Sequence, residues 1–423
     1  MRRSLRLSTV KLVVFFFVFG SGGSGKTYLW RTLIYRLRLE GRIVLPVPMS
    51  GIAATLMPGR RTTHSRFKIP IVLDEFSLCN ISHDSDIAQL IKKTKLIIWD
   101  KAPMQHRSRL WDTITYFDLK QNMRLKDATF DTELQQLQDF SRWVHHIGEG
   151  TTLHDGDDLI TLADDEILIP EMFCNVQTEN SVQNMISSTY PNFEENGSSA
   201  SYLRERAILT PTNQTVGQLN SMIVDRLPGE TFSYFSLDVA EDFGGTQQHL
   251  NAAFPVEYLN SVILPGLPLH EIKLKVGAVV MLIRNLNQIL GLCNGTRMIV
   301  TQCLKFFVEC EVICGAFIGT KHFIPCMELC LGDSKLPFKL VRKQMPLQLC
   351  YAMTINKSQG QSLNTVGLYL PKSVFSHGQF YVAVSRVTSP GGLKIFVDDE
   401  SGHPNNITHN VVYKEVFYNL PRV

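Results

Sequence analysis

The chain has 423 residues, enough for two or three domains with sizeable cores. Its 44% hydrophobic content excludes a disordered polymer, and a net charge of +3 is too small to argue a nucleic-acid partner by itself. Any DNA contact must come from local patches. Nine cysteines, an odd number scattered along the chain, suit a reducing compartment better than a disulfide framework.

Met1–Arg6 is basic and Leu12–Phe19 is a continuous apolar run. Two readings fit. One is a signal or transit sequence. The other is a buried parallel strand, which the glycine-rich loop that follows calls for. The run is shorter than the roughly 20 apolar residues of a membrane-spanning helix, so no membrane partner is expected.

In chain order, the strand Leu12–Phe19 leads through a loop into a helix, where Leu29, Leu33, Ile34 and Leu37 recur at helical spacing. Gly41 ends that helix and Ile43–Pro48 forms a second strand, a βαβ start. Asp84–Lys93 reads as a helix and Thr94–Trp99 as a strand ending at Asp100. Residues 150–200 are loop-rich and acidic. Ala207–Pro211 opens a new strand, followed by a helix over Val216–Leu227. Val276–Ile283, Arg297–Leu304 and Phe306–Phe317 read as antiparallel strands, with Asn294-Gly295 as a turn signal. The α/β texture returns from Met345.

The expected fold class is therefore α/β: two α/β domains, parallel sheets with flanking helices, and a small inserted β-barrel-like domain. Residues 1–150 form the first domain, with a small insertion near 65–95. Residues 151–203 form a linker and helical connection. Residues 204–230 plus 346–423 form the second domain, and 231–345 the β-rich insertion.

Gly20-Ser21-Gly22-Gly23-Ser24-Gly25-Lys26-Thr27 fits G-x4-G-K-[ST]. Glycines let backbone N–H groups curl around phosphates, and the helix after Gly25 turns its positive end to the same anion. Lys26 is expected on the β- and γ-phosphates of ATP, and Thr27 on Mg²⁺. A second Mg²⁺ ligand is expected at a strand end, and Leu96-Ile97-Ile98-Trp99-Asp100 supplies Asp100. The next residue is Lys101. ATPases of this type place Glu there, to orient or deprotonate the attacking water. An ammonium cannot accept that proton. Cys310, Cys314, Cys326 and Cys330 have spacings that zinc can use, but Val308–Phe317 alternates like a strand, which makes its cysteines, Cys310 and Cys314, small buried hydrophobes.

Gly20–Trp30, Ser50–Phe67 and Ile97–Met104 resemble the Pif-type (petite integration frequency) DNA helicases, in particular the branch found in Helitron transposons. Gln121–Leu125, Ile208–Asn213, Leu292–Arg297, Ala352–Leu363 and Tyr381–Arg386 extend the resemblance in the family's order. It implies a superfamily-one, ATP-dependent 5′→3′ helicase with two RecA-like domains, ATP in their cleft and single-stranded or forked DNA across their top. It further implies a monomer acting in DNA repair, recombination and telomere maintenance, in the nucleus or the mitochondrion. By the same resemblance Arg124 and Arg386 reach the γ-phosphate. Gln359 and Gly360 border the nucleotide. Thr63, His64, Thr354, Lys357 and Ser358 meet DNA.

Three departures stand against the family pattern. Lys101 replaces Glu. About ten residues precede the first strand, so the family's upstream Gln-containing segment that reads adenine is expected to be absent. The interval Lys101–Met123 lacks the Gly-Asp-x-Arg-Gln strand, so a core strand is expected to be absent near 105–120. A first domain without that strand would be poorly packed or rearranged. The alternative function is then a catalytically impaired ATP- or DNA-binding remnant of a transposon helicase.

Overall fold

The computed structural model describes residues 14–20, 22–48, 57, 61–69, 77–100, 114–119, 123, 131–151, 165–174, 181–241, 254–330, 336–398 and 403–413. Ser21, Lys101 and Arg124 lie outside them.

The first unit opens with β1 (Phe15–Gly20), α1 (Lys26–Leu39) and β2 (Ile43–Pro48). Gly41 stops α1 as its sequence demands. Its φ of 71° is left-handed, and Arg42 N–H reaches back to the Leu37 carbonyl at 2.9 Å. Two short helices, α2 (Thr63–Phe67) and α3 (Asp86–Lys93), fill the insertion before β3 (Thr94–Asp100). Thr62 caps α2 and Ser85 caps α3, each side chain accepting an N–H three residues on.

A further strand, β4 (Ile114–Leu119), lies within the interval Lys101–Met123. Ile114-Thr115-Tyr116-Phe117 is a β-branched and aromatic run, which favours extended backbone. β4 pairs in parallel with β1, Gly20 opposite Leu119, and β2 pairs in parallel with β3, Pro48 opposite Asp100. Among the described residues the two pairs do not join into one sheet.

Among the described residues the apolar cluster of this unit is small. Ile34, Val44 and Ile98 are buried, with Trp30, Leu37 and Leu96 partly so. On the other pair, Phe16 and Phe117 remain 58% and 50% exposed. One more strand between the pairs is what such side chains ordinarily pack beside.

The second unit is thicker. After the long helix α4 (Asp131–Glu149) come β5 (Glu166–Leu168), α5 (Ser181–Thr189), α6 (Phe193–Asn196), α7 (Ala200–Arg204), β6 (Arg206–Thr210) and α8 (Asn213–Arg226). The chain then builds the β domain: β7 (Phe232–Phe235), β8 (Leu237–Glu241), α9 (Val256–Ser261), β9 (Glu271–Leu274), β10 (Val279–Leu282), β11 (Arg297–Cys303), β12 (Phe307–Val312), β13 (Lys321–Pro325), β14 (Met327–Cys330), β15 (Lys339–Gln344) and β16 (Leu347–Leu349). It returns with β17 (Ala352–Thr354), β18 (Thr365–Leu370), α10 (Gln379–Val384), β19 (Leu393–Asp398), β20 (Pro404–Asn405) and β21 (Ile407–His409).

The sheet of the second unit runs β17-β6-β18-β19-β20, parallel except for β20. Ile208, Leu209, Val366, Leu368 and Ile395 are fully buried within it. Residues 165–174 and 181–203, expected as linker, belong to this unit. Met185, Ile186, Tyr190, Phe193 and Leu203 enter the same core, and Tyr190 Oη donates to the Tyr351 carbonyl at 2.7 Å. Their apolar positions are spaced among Ser and Asn, which is why the stretch reads as loop.

The β domain holds one five-stranded antiparallel sheet, β13-β12-β11-β10-β16, and a three-stranded one, β14-β15-β8. It extends through β16, a few residues past the expected boundary at 345. Arg297 anchors it to the second unit by donating to the carbonyls of Leu203 and Arg206 at 3.1 and 2.9 Å. Cys310 lies buried on β12, and Cys314 Sγ accepts the Arg297 N–H; all nine cysteines are free thiols.

Candidate nucleotide site

β1 delivers the chain to Gly20, and the loop turns through Gly23 (φ 89°) and Gly25 (φ 83°) before α1 begins at Lys26. A side chain at either left-handed position would be strained, so these two glycines are conformational requirements. Ser24 is buried in the turn. Lys26 Nζ folds over the loop, donating to the Gly20 carbonyl and, at 3.4 Å, to Ser24 Oγ. The ammonium therefore sits inside the curl of backbone where phosphate oxygens are expected.

Two neighbours close on this loop. Met123 N–H donates to the Gly23 carbonyl at 3.0 Å, which brings the segment just before Arg124 onto the loop. From the second unit, Tyr381 Oη accepts the Gly22 N–H at 2.6 Å. A Cβ placed on Gly22 would lie 3.4 Å from Ser385 Cβ, so a small residue suits this crossing. Tyr381 and Ser385 are four apart, on one face of α10 and its cap.

Arg386 follows directly. Its Nη2 donates to Ser385 Oγ at 2.8 Å and its Nη1 to the Gln361 carbonyl at 3.0 Å. The predicted arginine thus stands beside the loop-contacting serine and grips the segment carrying Gln359 and Gly360. Gly360 turns with φ 91°, and Gln359 is half-buried. Glycine loop, Arg386 and the 355–361 segment are assembled as one locality by contacts between the units.

Asp100 ends β3, half-buried, and Thr27 is exposed in the first turn of α1. A hydroxyl and a carboxylate are hard oxygen donors, the chemistry Mg²⁺ takes. The two strands that carry the loop and the carboxylate lie in separate sheets.

The residues expected on DNA divide. Thr63 is fully buried and its hydroxyl donates to the carbonyls of Val47 and Pro48 at 3.1 and 3.2 Å, fastening α2 to the end of β2. Ser358 is fully buried too, donating to the Ile355 carbonyl at 2.7 Å. In this conformation both hydroxyls serve the interior. Thr354 is 9% exposed. His64 is half-buried. Lys357 donates to Gln348 Oε1 at 3.1 Å, and burial pushes its ammonium below the ordinary lysine range. Asn356, the exposed side chain of that turn, is the one the motif reading passed over.

Tyr381, Ser385 and Gly148 of α4 were also missed as site residues. The tyrosine ring packs on Gly148, where a Cβ would lie 3.0 Å from the ring. The i, i+4 spacing within Tyr381–Arg386 could have flagged the first two; Gly148 gives no signal.

Against known proteins, the family described as PIF1-like helicase matches residues 7–108 and 106–158, and the DNA helicase Pif1 2B domain matches residues 257–303. The ATP-dependent DNA helicase PIF1 of Xenopus laevis is 35% identical over 179 residues, 42% of this chain and 25% of that protein. The human protein of the same name is 33% identical over 183 residues, 43% of this chain and 25% of that protein. The matches thus span about a quarter of the length of these two relatives. The ATP-dependent DNA helicase Pif1 of a Psychrobacter strain is 25% identical across 93% of this chain and 67% of its own length.

Among solved structures, Pif1 helicase from Candida albicans superposes with a TM-score of 0.58 at 20% identity, covering 96% of this chain and 94% of that one. Bacteroides Pif1 bound to ssDNA gives 0.50 at 22% identity, covering 90% and 88%. These likenesses carry the fold: two RecA-like α/β domains with a small β domain. The family matches lie at both the glycine loop and the β domain, so in sequence and in fold this chain is similar to the PIF1-like helicases.

Proposed function

We propose that the chain is an ATP-dependent DNA helicase motor, with ATP held between the glycine loop and α10 and single-stranded or forked DNA as its track. The observation that carries the reading is the meeting of Gly22 with Tyr381 and Ser385, one residue from Arg386. A P-loop closed by an arginine-bearing helix from a second domain is the arrangement by which motion between domains can follow the state of a phosphate.

Residue roles follow from position. The loop amides and Lys26 bind phosphates. Thr27 and Asp100 would hold Mg²⁺, which when bound neutralises phosphate charge. Arg386, tied to Gln361, would report the γ-phosphate to the 355–361 segment. His64 and Asn356, with Lys357, are the candidates to meet DNA from the two units. A 5′→3′ direction and a role in DNA repair, recombination or telomere maintenance are further parts of the proposal, resting on the family. Nine free thiols fit a reducing compartment such as the nucleus. No helix among the described residues is long and apolar enough to cross a membrane.

The test is multiple-turnover ATP hydrolysis by the purified chain, with and without single-stranded DNA. DNA-stimulated hydrolysis that disappears in Lys26→Ala is expected. ATP binding without turnover would instead identify a non-catalytic remnant, the outcome towards which Lys101 points.

A further inference from the structure

The contact between Tyr381 and Gly22 crosses from one unit to the other at the loop that is read as the phosphate cradle. The donor is a backbone N–H of that loop, and the acceptor is a phenol oxygen 2.6 Å away. A phosphate oxygen is an acceptor of the same kind and stronger, because it is charged. One N–H cannot serve both acceptors with good geometry.

The tyrosine is well placed to make that competition matter. Its ring is braced against Gly148 at the end of α4, so the hydroxyl is aimed by packing and not only by the hydrogen bond. Its helix continues directly into Ser385 and Arg386, and Ser385 N–H donates to the Tyr381 carbonyl at 3.0 Å. Arg386 in turn holds the Gln361 carbonyl. A shift of Tyr381 therefore carries the arginine and the 355–361 segment with it.

We propose that Tyr381 is a positioning residue of the nucleotide cycle: its hydroxyl takes the place on the Gly22 N–H that a phosphate oxygen of the nucleotide competes for, and losing that place moves α10 and Arg386. The proposal rests on the reading of the loop as an ATP site. It assigns the hydroxyl a cost in nucleotide affinity, since binding must break an existing hydrogen bond between the units.

Tyr381→Phe tests it, because the ring that packs on Gly148 is kept. Binding of a fluorescent ADP analogue is measured for the wild-type chain, Tyr381→Phe and Lys26→Ala, with thermal melts as a check on folding. The expected result is binding about fivefold tighter in Tyr381→Phe, the worth of one neutral hydrogen bond. Amide exchange at Gly22 in the protein alone is expected to quicken in the same variant. Equal or weaker binding by Tyr381→Phe, with wild-type binding that depends on Lys26, overturns this proposal and leaves the ATP-site reading standing. Binding by neither protein overturns both.

Discussion

Arg386 Nη1 donates to the carbonyl of Gln361 at 3.0 Å while its Nη2 holds Ser385 Oγ at 2.8 Å. One planar guanidinium therefore joins the helix that touches the glycine loop to the segment expected to lead towards DNA. A lysine has the charge but not the fork. Arg386→Lys is expected to lower kcat for ATP hydrolysis by about 10³-fold or more, the usual worth of such an arginine, with nucleotide affinity changed far less. Steady-state kinetics beside a binding titration checks it, and an unchanged kcat would remove Arg386 from the chemistry.

Lys101 follows the carboxylate at the end of β3 in the sequence. Restoring a carboxylate by Lys101→Glu supplies a group able to orient and deprotonate water. If the missing base alone limits turnover, kcat rises by about 10²-fold, the lower end for general-base catalysis. Failure to rise locates the limit in the split sheet of the first unit.

Asp238 and Arg342 form a fully buried pair, with Arg342 Nη2 donating to one carboxylate oxygen at 2.6 Å and Nε to the other at 2.9 Å. The guanidinium also satisfies the Pro268 and Leu259 carbonyls. Asp238→Ala leaves that cation buried and unpaired, at a cost of about 3–5 kcal/mol. Urea denaturation of the β domain should show it. A loss below about 1 kcal/mol would mean that water reaches the site.

His377 stacks on Tyr413 and its Nδ1 accepts the Tyr413 N–H at 2.9 Å, which requires that nitrogen to be unprotonated. Burial holds its pKa below the ordinary imidazole value. As pH falls, the unfolded chain therefore takes up the proton first. The stabilisation is complete above about pH 6.5 and is lost as pH falls through the lower folded value. The protection of amides across residues 403–413, taken relative to their intrinsic exchange rates, should fall on acidification from pH 7 to 5, and His377→Ala should abolish that fall.

The two units differ in depth of packing. Among the described residues, three side chains are buried in the first unit's cluster, whereas the second unit's sheet and the five-stranded sheet of the β domain share one continuous core. Amides of β1–β4 are expected to exchange faster than those of β6, β18 and β19, as local opening requires little apolar surface to be exposed. Equal protection in both units would contradict that difference in packing.

Much of this was written in the sequence because it is local. Gly23 and Gly25 need left-handed backbone, Gly41 stops a helix, and Ile43–Pro48 is extended wherever it is placed. The family motifs likewise lie in short contiguous stretches. The tertiary structure decided what depends on partners far apart in the chain. Thr63 and Ser358 look like surface hydroxyls in a motif, yet each is spent on a backbone carbonyl in the interior. Residues 165–174 and 181–203 look like a linker because their apolar side chains are diluted among polar ones, and only the sheet they cover shows them as core. β4 stands in an interval without the family's motif, and its pairing with β1, far away in the chain, is what only the tertiary structure shows. Tyr381 gained its meaning only when folding brought it to Gly22, 359 residues away, because a hydrogen bond has no sequence signature when its two ends belong to different units.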